Sequence, residues 1–180
     1  RSGHIETLDL DALTWTRKEF AALRDWIDPD QQQANGSRSM DDLTDELDAL
    51  MSHCVREMIP KGRAYSTVVS GGVDSSLISH YVLAHGNPDM LIAVNHVGKD
   101  LISTDLSSFE KTLGRSINVL QIDKAAYTAE VPRCQKICGA PLHSHSYVPQ
   151  ALQSATVRAS GCRVLFGGDG ADEFFGGYPA

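Results

Sequence analysis

The run Ser70-Gly71-Gly72-Val73-Asp74-Ser75-Ser76 most constrains this chain, because it joins a β-branched stretch to an amphipathic helical pattern through two glycines and a carboxylate. Ser66-Thr67-Val68-Val69, just before it, has the composition of a short buried strand. Leu77, Ile78, Tyr81 and Val82, just after it, recur at helical spacing. The loop therefore delivers the chain to a helix N-terminus, where free N–H groups and the helix dipole favour an anion. Gly71 and Gly72 let the backbone turn sharply and come close to such an anion. Asp74 adds a condition: a carboxylate beside phosphate oxygens needs a divalent cation between them, and Mg²⁺ is the usual bridge. The same residues also suit a plain strand-to-helix turn with serine caps. Neither Gly-Lys-Ser/Thr nor Gly-x-Gly-x-x-Gly occurs here, which argues against a P-loop and against a dinucleotide-binding unit.

A second segment narrows the choice. Arg163-Val164-Leu165-Phe166 reads as another buried strand and runs into Gly167-Gly168-Asp169-Gly170-Ala171-Asp172-Glu173-Phe174-Phe175-Gly176-Gly177-Tyr178. In a parallel α/β sheet, ligands collect beyond the carboxyl ends of the strands, where strand order reverses. Two strands that end in Gly-Gly-plus-acid loops are thus predicted to face one crevice, with Asp172 as the second carboxylate to a cation at Asp74. A solvated glycine-rich turn is the alternative for the second segment taken alone.

The two motifs carry a family resemblance. Ser70 to Ser75 is similar to the loop of the ATP-pyrophosphatase superfamily, which includes asparagine, GMP and NAD synthetases and tRNA-thiolating enzymes. Gly168 to Tyr178 resembles the narrower Gly-acid-Gly-x-Asp-Glu-x-Phe-Gly-Gly-Tyr block of asparagine synthetases and their relatives, among them β-lactam synthetases and peptide cyclases. The resemblance spans Met40 to Tyr178. It implies an adenine-nucleotide α-hydrolase-like fold and an amide-forming ligase that adenylates a carboxylate with ATP and Mg²⁺, releasing pyrophosphate and then AMP. Aspartate is the default carboxylate, with ammonia from glutamine. By position, the resemblance gives Ser70, Gly71, Gly72, Asp74 and Ser75 to the pyrophosphate and Asp74 and Asp172 to magnesium. It gives Val68, Val94, Gly167 and Gly168 to the adenosine. Asp169 stands where asparagine synthetases usually carry Glu, near the activated acyl group. A non-catalytic nucleotide-binding or assembly module is the alternative reading.

The remaining pattern alternates strand and helix, which predicts a three-layer α/β domain with a parallel sheet. Met40, Leu43, Leu47, Leu50, Met51, Cys54, Val55 and Met58 keep a helical period from Met40 to Met58, with Ser39 as N-cap. Met90 to Val94 and Ile117 to Ile122 read as strands. Thr104 to Leu113, stopped by Gly114, and Val148 to Ala159, closed by Gly161, read as helices. Residues 1–38 are expected to be an N-terminal arm, with Pro29 to Ser39 a polar linker, and residues 39–180 the synthetase-like domain. The arm resembles the connection from a glutaminase domain in glutamine-using members. Such a domain or subunit is therefore an expected partner, and the chain reads as a fragment or as a subunit completed by another chain.

Composition excludes rather than selects. The net charge of −7 argues against a nucleic-acid surface. No apolar run is long enough to span a bilayer, and nothing in the four cysteines points to an oxidising compartment, so a cytoplasmic location is expected. Cys54 and Cys162 are expected to be reduced core residues. Cys134 and Cys138 with His143 and His145 can be drawn as a zinc site, but the spacing is loose, and a loop leading into the next helix is the simpler expectation. Lys99 and Asp100 are expected to be a solvated pair.

Overall fold

The computed structural model describes residues 3–97 and 106–177. Lys99, Asp100, Thr104 and Tyr178 lie outside the described residues. Two compact units divide the chain, Arg1–Ala49 and Leu50–Ala180.

The first unit opens with strands β1 (His4–Asp9) and β2 (Thr14–Glu19), paired antiparallel from His4 opposite Glu19 to Asp9 opposite Thr14. The Asp9 carboxylate closes the hairpin by accepting from the Asp11 and Ala12 N–H groups at 2.9 and 2.8 Å. Directly opposed Glu6 and Arg17 form an ion pair across the strands. The polar stretch expected as a linker instead contains helix α1 (Pro29–Asn35). Its cause is local: the Asp28 side chain accepts from the Asp30 and Gln31 N–H groups, and Pro29 occupies the first turn, where its missing N–H costs nothing. Helix α2 (Met40–Met58), which begins in the first unit and ends in the second, has the predicted bounds, and the Ser39 hydroxyl accepts from the Asp42 N–H at 3.1 Å. Its apolar stripe is mostly uncovered: among the described residues Val55 alone is buried on this helix, and Met40 is 76 % exposed.

The second unit holds a parallel sheet of β3 (Tyr65–Val68), β4 (Met90–Val97), β5 (Asn118–Asp123) and β6 (Val164–Phe166) in the order β5-β4-β3-β6. Helix α3 (Val73–His85) follows β3, and α4 (Ser107–Leu113) follows β4 and ends at Gly114 in the left-handed region. Helices α5 (Lys124–Cys138) and α6 (Tyr147–Ala159) lie between β5 and β6, and the short α7 (Ala171–Phe175) follows β6. This is an α/β fold with helices on the sheet, as the resemblance implied. Leu91 and Ala93 pack with Val69, Leu106 and Ile117 on one face of β4, while Ile92 packs with Val157 and Cys162 on the other. The alternation is that of a strand covered on both sides. A third cluster joins Val55, Tyr65, Tyr81, Val82 and Phe166. Each fully buried aliphatic side chain of this kind contributes about 1.5–3 kcal/mol. No helix among the described residues is long and apolar enough to cross a membrane.

Two sequence expectations fail in this unit. Cys54 is exposed rather than in the core. Cys134 and Cys138 sit on α5 rather than in a loop: the Asp123 side chain caps the helix on the Ala126 N–H at 2.7 Å, and Pro132 is carried inside it. That proline, together with a weakly apolar sequence, hid the helix.

Candidate functional site

Strand order places the site. Growth from β3 proceeds outward to β4 and β5, then jumps back to lay β6 on the other side of β3. The reversal falls between β3 and β6, so the loops after these two strands leave the sheet side by side, with Thr67 paired to Phe166 just before both.

The first loop is held by its own serines. The Ser75 hydroxyl lies 2.7 Å from that of Ser70 and accepts from the Ser70 N–H at 3.1 Å, and the Ser76 hydroxyl donates to the Gly72 carbonyl at 2.6 Å. Gly71 has φ +87°, which a side chain would oppose. Behind the loop, the buried Ser79 hydroxyl donates to the Val68 carbonyl at 2.9 Å and lies 3.0 Å from the Thr67 hydroxyl, tying α3 to the end of β3. Asp74 is thereby fixed in the first turn of α3.

The second loop presses against the first. A Cβ on Gly168 would lie 2.8 Å from the Asp74 carbonyl carbon and from the Ser75 nitrogen, so only glycine permits this approach. Gly170, with φ +98°, starts α7, and the Gly176 N–H donates to the Asp172 carbonyl at 2.9 Å. Between the loops opens a cavity of about 350 Å³. Its lining includes Val68, Ser70, Gly72, Asp74, Ser75, Gly167, Gly168, Asp169 and Asp172, all singled out from the sequence. Gly71 and Val94 are not among the residues that line it.

Four lining residues were not named as site residues: Gly170 and Glu173 from the second loop, and Gln150 and Gln153 from α6. The signal for the glutamines was present. They stand three apart, on one face of the predicted helix, and Gln153 precedes Val157 on the buried stripe.

The charge balance of the cavity is one-sided. Asp74, Asp169, Asp172 and Glu173 line it, and no lysine or arginine does so among the described residues. A phosphate ligand there requires a cation. Hard carboxylate oxygens suit Mg²⁺, which takes one or two protein carboxylates and completes its shell with phosphate and water. Among the described residues no three His, Cys, Asp or Glu side chains are grouped to hold a metal ion. This also removes the zinc arrangement around Cys134. That thiol is buried and donates weakly to the Tyr147 carbonyl at 3.9 Å, and burial pushes its pKa up, away from the thiolate a metal needs. A smaller apolar cavity of about 250 Å³ shares the Gly167–Gly170 loop and Asp74 and includes Leu77, Ile78, Phe174 and Phe175.

The family model for asparagine synthase matches residues 46–180. A Methanocaldococcus jannaschii protein provisionally named a glutamine-hydrolysing asparagine synthetase is 27% identical over 152 residues, which are 78% of this chain and 26% of that relative. The chain thus spans about a quarter of the relative's length.

Proposed function

The chain belongs to the asparagine synthase family, and from that premise we propose that its second unit is the ATP-using part of an amide-forming ligase. The observation that carries the reading is the pair of loops packed at the sheet's switch point around an acid-lined cavity. In this reading a substrate carboxylate attacks the α-phosphorus of ATP and pyrophosphate leaves. An amine or ammonia then displaces AMP to give the amide. Aspartate is the first carboxylate to test, with ammonia supplied from glutamine by a glutaminase domain or subunit.

The residues divide the work by chemistry. The Ser70 and Ser75 hydroxyls and the backbone of Gly71 and Gly72 hold pyrophosphate oxygens at the start of α3. Asp74 and Asp172 hold Mg²⁺, which supplies positive charge to the phosphates when bound. Val68, Val94, Gly167 and Gly168 flank the adenosine, and Asp169 faces the activated acyl group. No nucleophilic dyad is needed, because alignment and fixed charge carry most of such a transfer.

ATP–pyrophosphate exchange on the whole chain, with a panel of carboxylic acids, tests the reading. Carboxylate-dependent exchange is expected, and none with any acid points instead to a binding module. Asp74→Asn removes a charge-assisted contact worth about 1.5–3 kcal/mol, so Mg²⁺-dependent ATP affinity should fall about ten- to a hundredfold. Asp172→Asn should slow exchange more than it weakens ATP binding. Wild-type behaviour in both variants removes these acids from the metal site.

A further inference from the structure

A single reversal of the chain brings two arginines to one wall. Helix α6 ends at Ala159, and Gly161, with φ +91°, turns the backbone so that the Cys162 N–H donates to the Val157 carbonyl at 3.2 Å. The Arg163 N–H then donates to the Ala64 carbonyl at 3.0 Å, at the amino end of β6. Arg158 and Arg163 thereby line one cavity of about 290 Å³, with Ser154 and Val157 of α6 and Val164 and Leu165 of β6. It shares no residue with the acid-lined cavity, whose loops leave the opposite, carboxyl ends of the strands.

The charge here is the reverse of that at the two loops. No acid lines this cavity. Arg17, Arg24, Arg38, Arg56 and Arg133 each pair with an acid, whereas neither Arg158 nor Arg163 has a side-chain partner among the described residues. A guanidinium stays protonated at any ordinary pH, so two of them on one wall repel unless an anion stands between them. Both are exposed, and a dissolved ligand can reach them.

The residue types narrow the anion. Each guanidinium fork matches two oxygens of a carboxylate or a phosphate. Two fixed positive charges balance a phosphate monoester, which carries about −1.5 to −2 at pH 7, better than a single carboxylate. The Ser154 hydroxyl offers one more donor. Val157, Val164 and Leu165 add apolar surface beside the charges, which a bare phosphate ion leaves unused. The volume is near the lower end of the roughly 300–1,000 Å³ of ligand pockets, which suits a small molecule.

We propose that the cavity between α6 and β6 binds a small organic phosphate, with Arg158 and Arg163 on the phosphate and Val157, Val164 and Leu165 against its apolar body. The assignment is independent of the nucleotide reading above, because no residue is common to the two cavities.

Isothermal titration calorimetry with phenyl phosphate on the whole chain tests it, in excess chelator so that no divalent cation carries the anion to the acid-lined cavity. Saturable binding, tighter than that of inorganic phosphate, is expected. Arg158→Gln and Arg163→Gln each remove a charge-assisted contact, so affinity should fall about tenfold or more. Their thermal midpoints without ligand should stay close to that of the intact chain, because neither charge leaves a partner behind. Arg133→Gln removes an arginine that pairs with Glu130 on α5 and should leave the affinity unchanged. An equal loss in that variant would reduce the effect to net charge and overturn the site. Absence of binding, or full affinity in both Arg158→Gln and Arg163→Gln, overturns it as well, and inorganic phosphate bound as tightly as phenyl phosphate overturns the role of the apolar wall.

Discussion

At the residue scale the site depends on two kinds of side chain, those that carry charge and those that are missing. That Asp74 and Asp172 would line one cavity was legible, because both acids follow Gly-Gly loops at strand ends. Gly168 was legible as a motif position, but its reason became visible only in three dimensions, where a Cβ would strike the backbone of Asp74 and Ser75. Gly168→Ala should therefore force the two loops apart at a cost of about 1–3 kcal/mol. Urea denaturation measures that cost, and ATP binding should weaken in the same variant. Unchanged stability and affinity would mean that the loops are free to separate. Cys54 teaches the converse. It keeps the helical period of its apolar neighbours, yet it is exposed, since periodicity names a face without naming what covers it.

At the scale of elements, strong local signals translated directly and weak ones did not. The bounds of α2 follow from Ser39 and the apolar period, and α4 ends at Gly114 because only a residue tolerant of positive φ fits there. Helix α5 was hidden by Pro132, and its identity rests on the Asp123 cap and on packing against α6. Cys134 lies at that contact, buried beneath Tyr147. Burial raises its pKa above the ordinary 9.0, so the unfolded chain ionises this thiol first. The stability gained by keeping it neutral is intact below about pH 9 and declines as pH rises toward the folded value. Urea midpoints at pH 7.5 and pH 10 should thus differ more for the intact chain than for Cys134→Ala. Equal differences would mean that the thiol titrates alike in both states.

At the scale of the whole molecule, the site belongs to the second unit, and binding there should stabilise that unit by mass action. With Mg²⁺-ATP at a hundred times its dissociation constant the gain is about 2.7 kcal/mol. For a unit of this size the thermal midpoint should rise on the order of 10 °C. Scanning calorimetry checks it, and an equal rise with ATP in excess chelator would contradict a cation bridge between acid and phosphate. What the sequence by itself determined is local: the strand-loop-helix at Ser70, the Gly-acid block at Gly168, and the alternation that makes an α/β sheet. Each is a matter of backbone freedom, capping or periodicity among neighbours along the chain. Only the tertiary structure decided that these loops touch, that Val94 stands off the cavity wall, and that Gln150 and Gln153 of α6 join it. Those outcomes depend on strand order and on which helix face meets the sheet, and both are set by contacts between residues far apart in the chain.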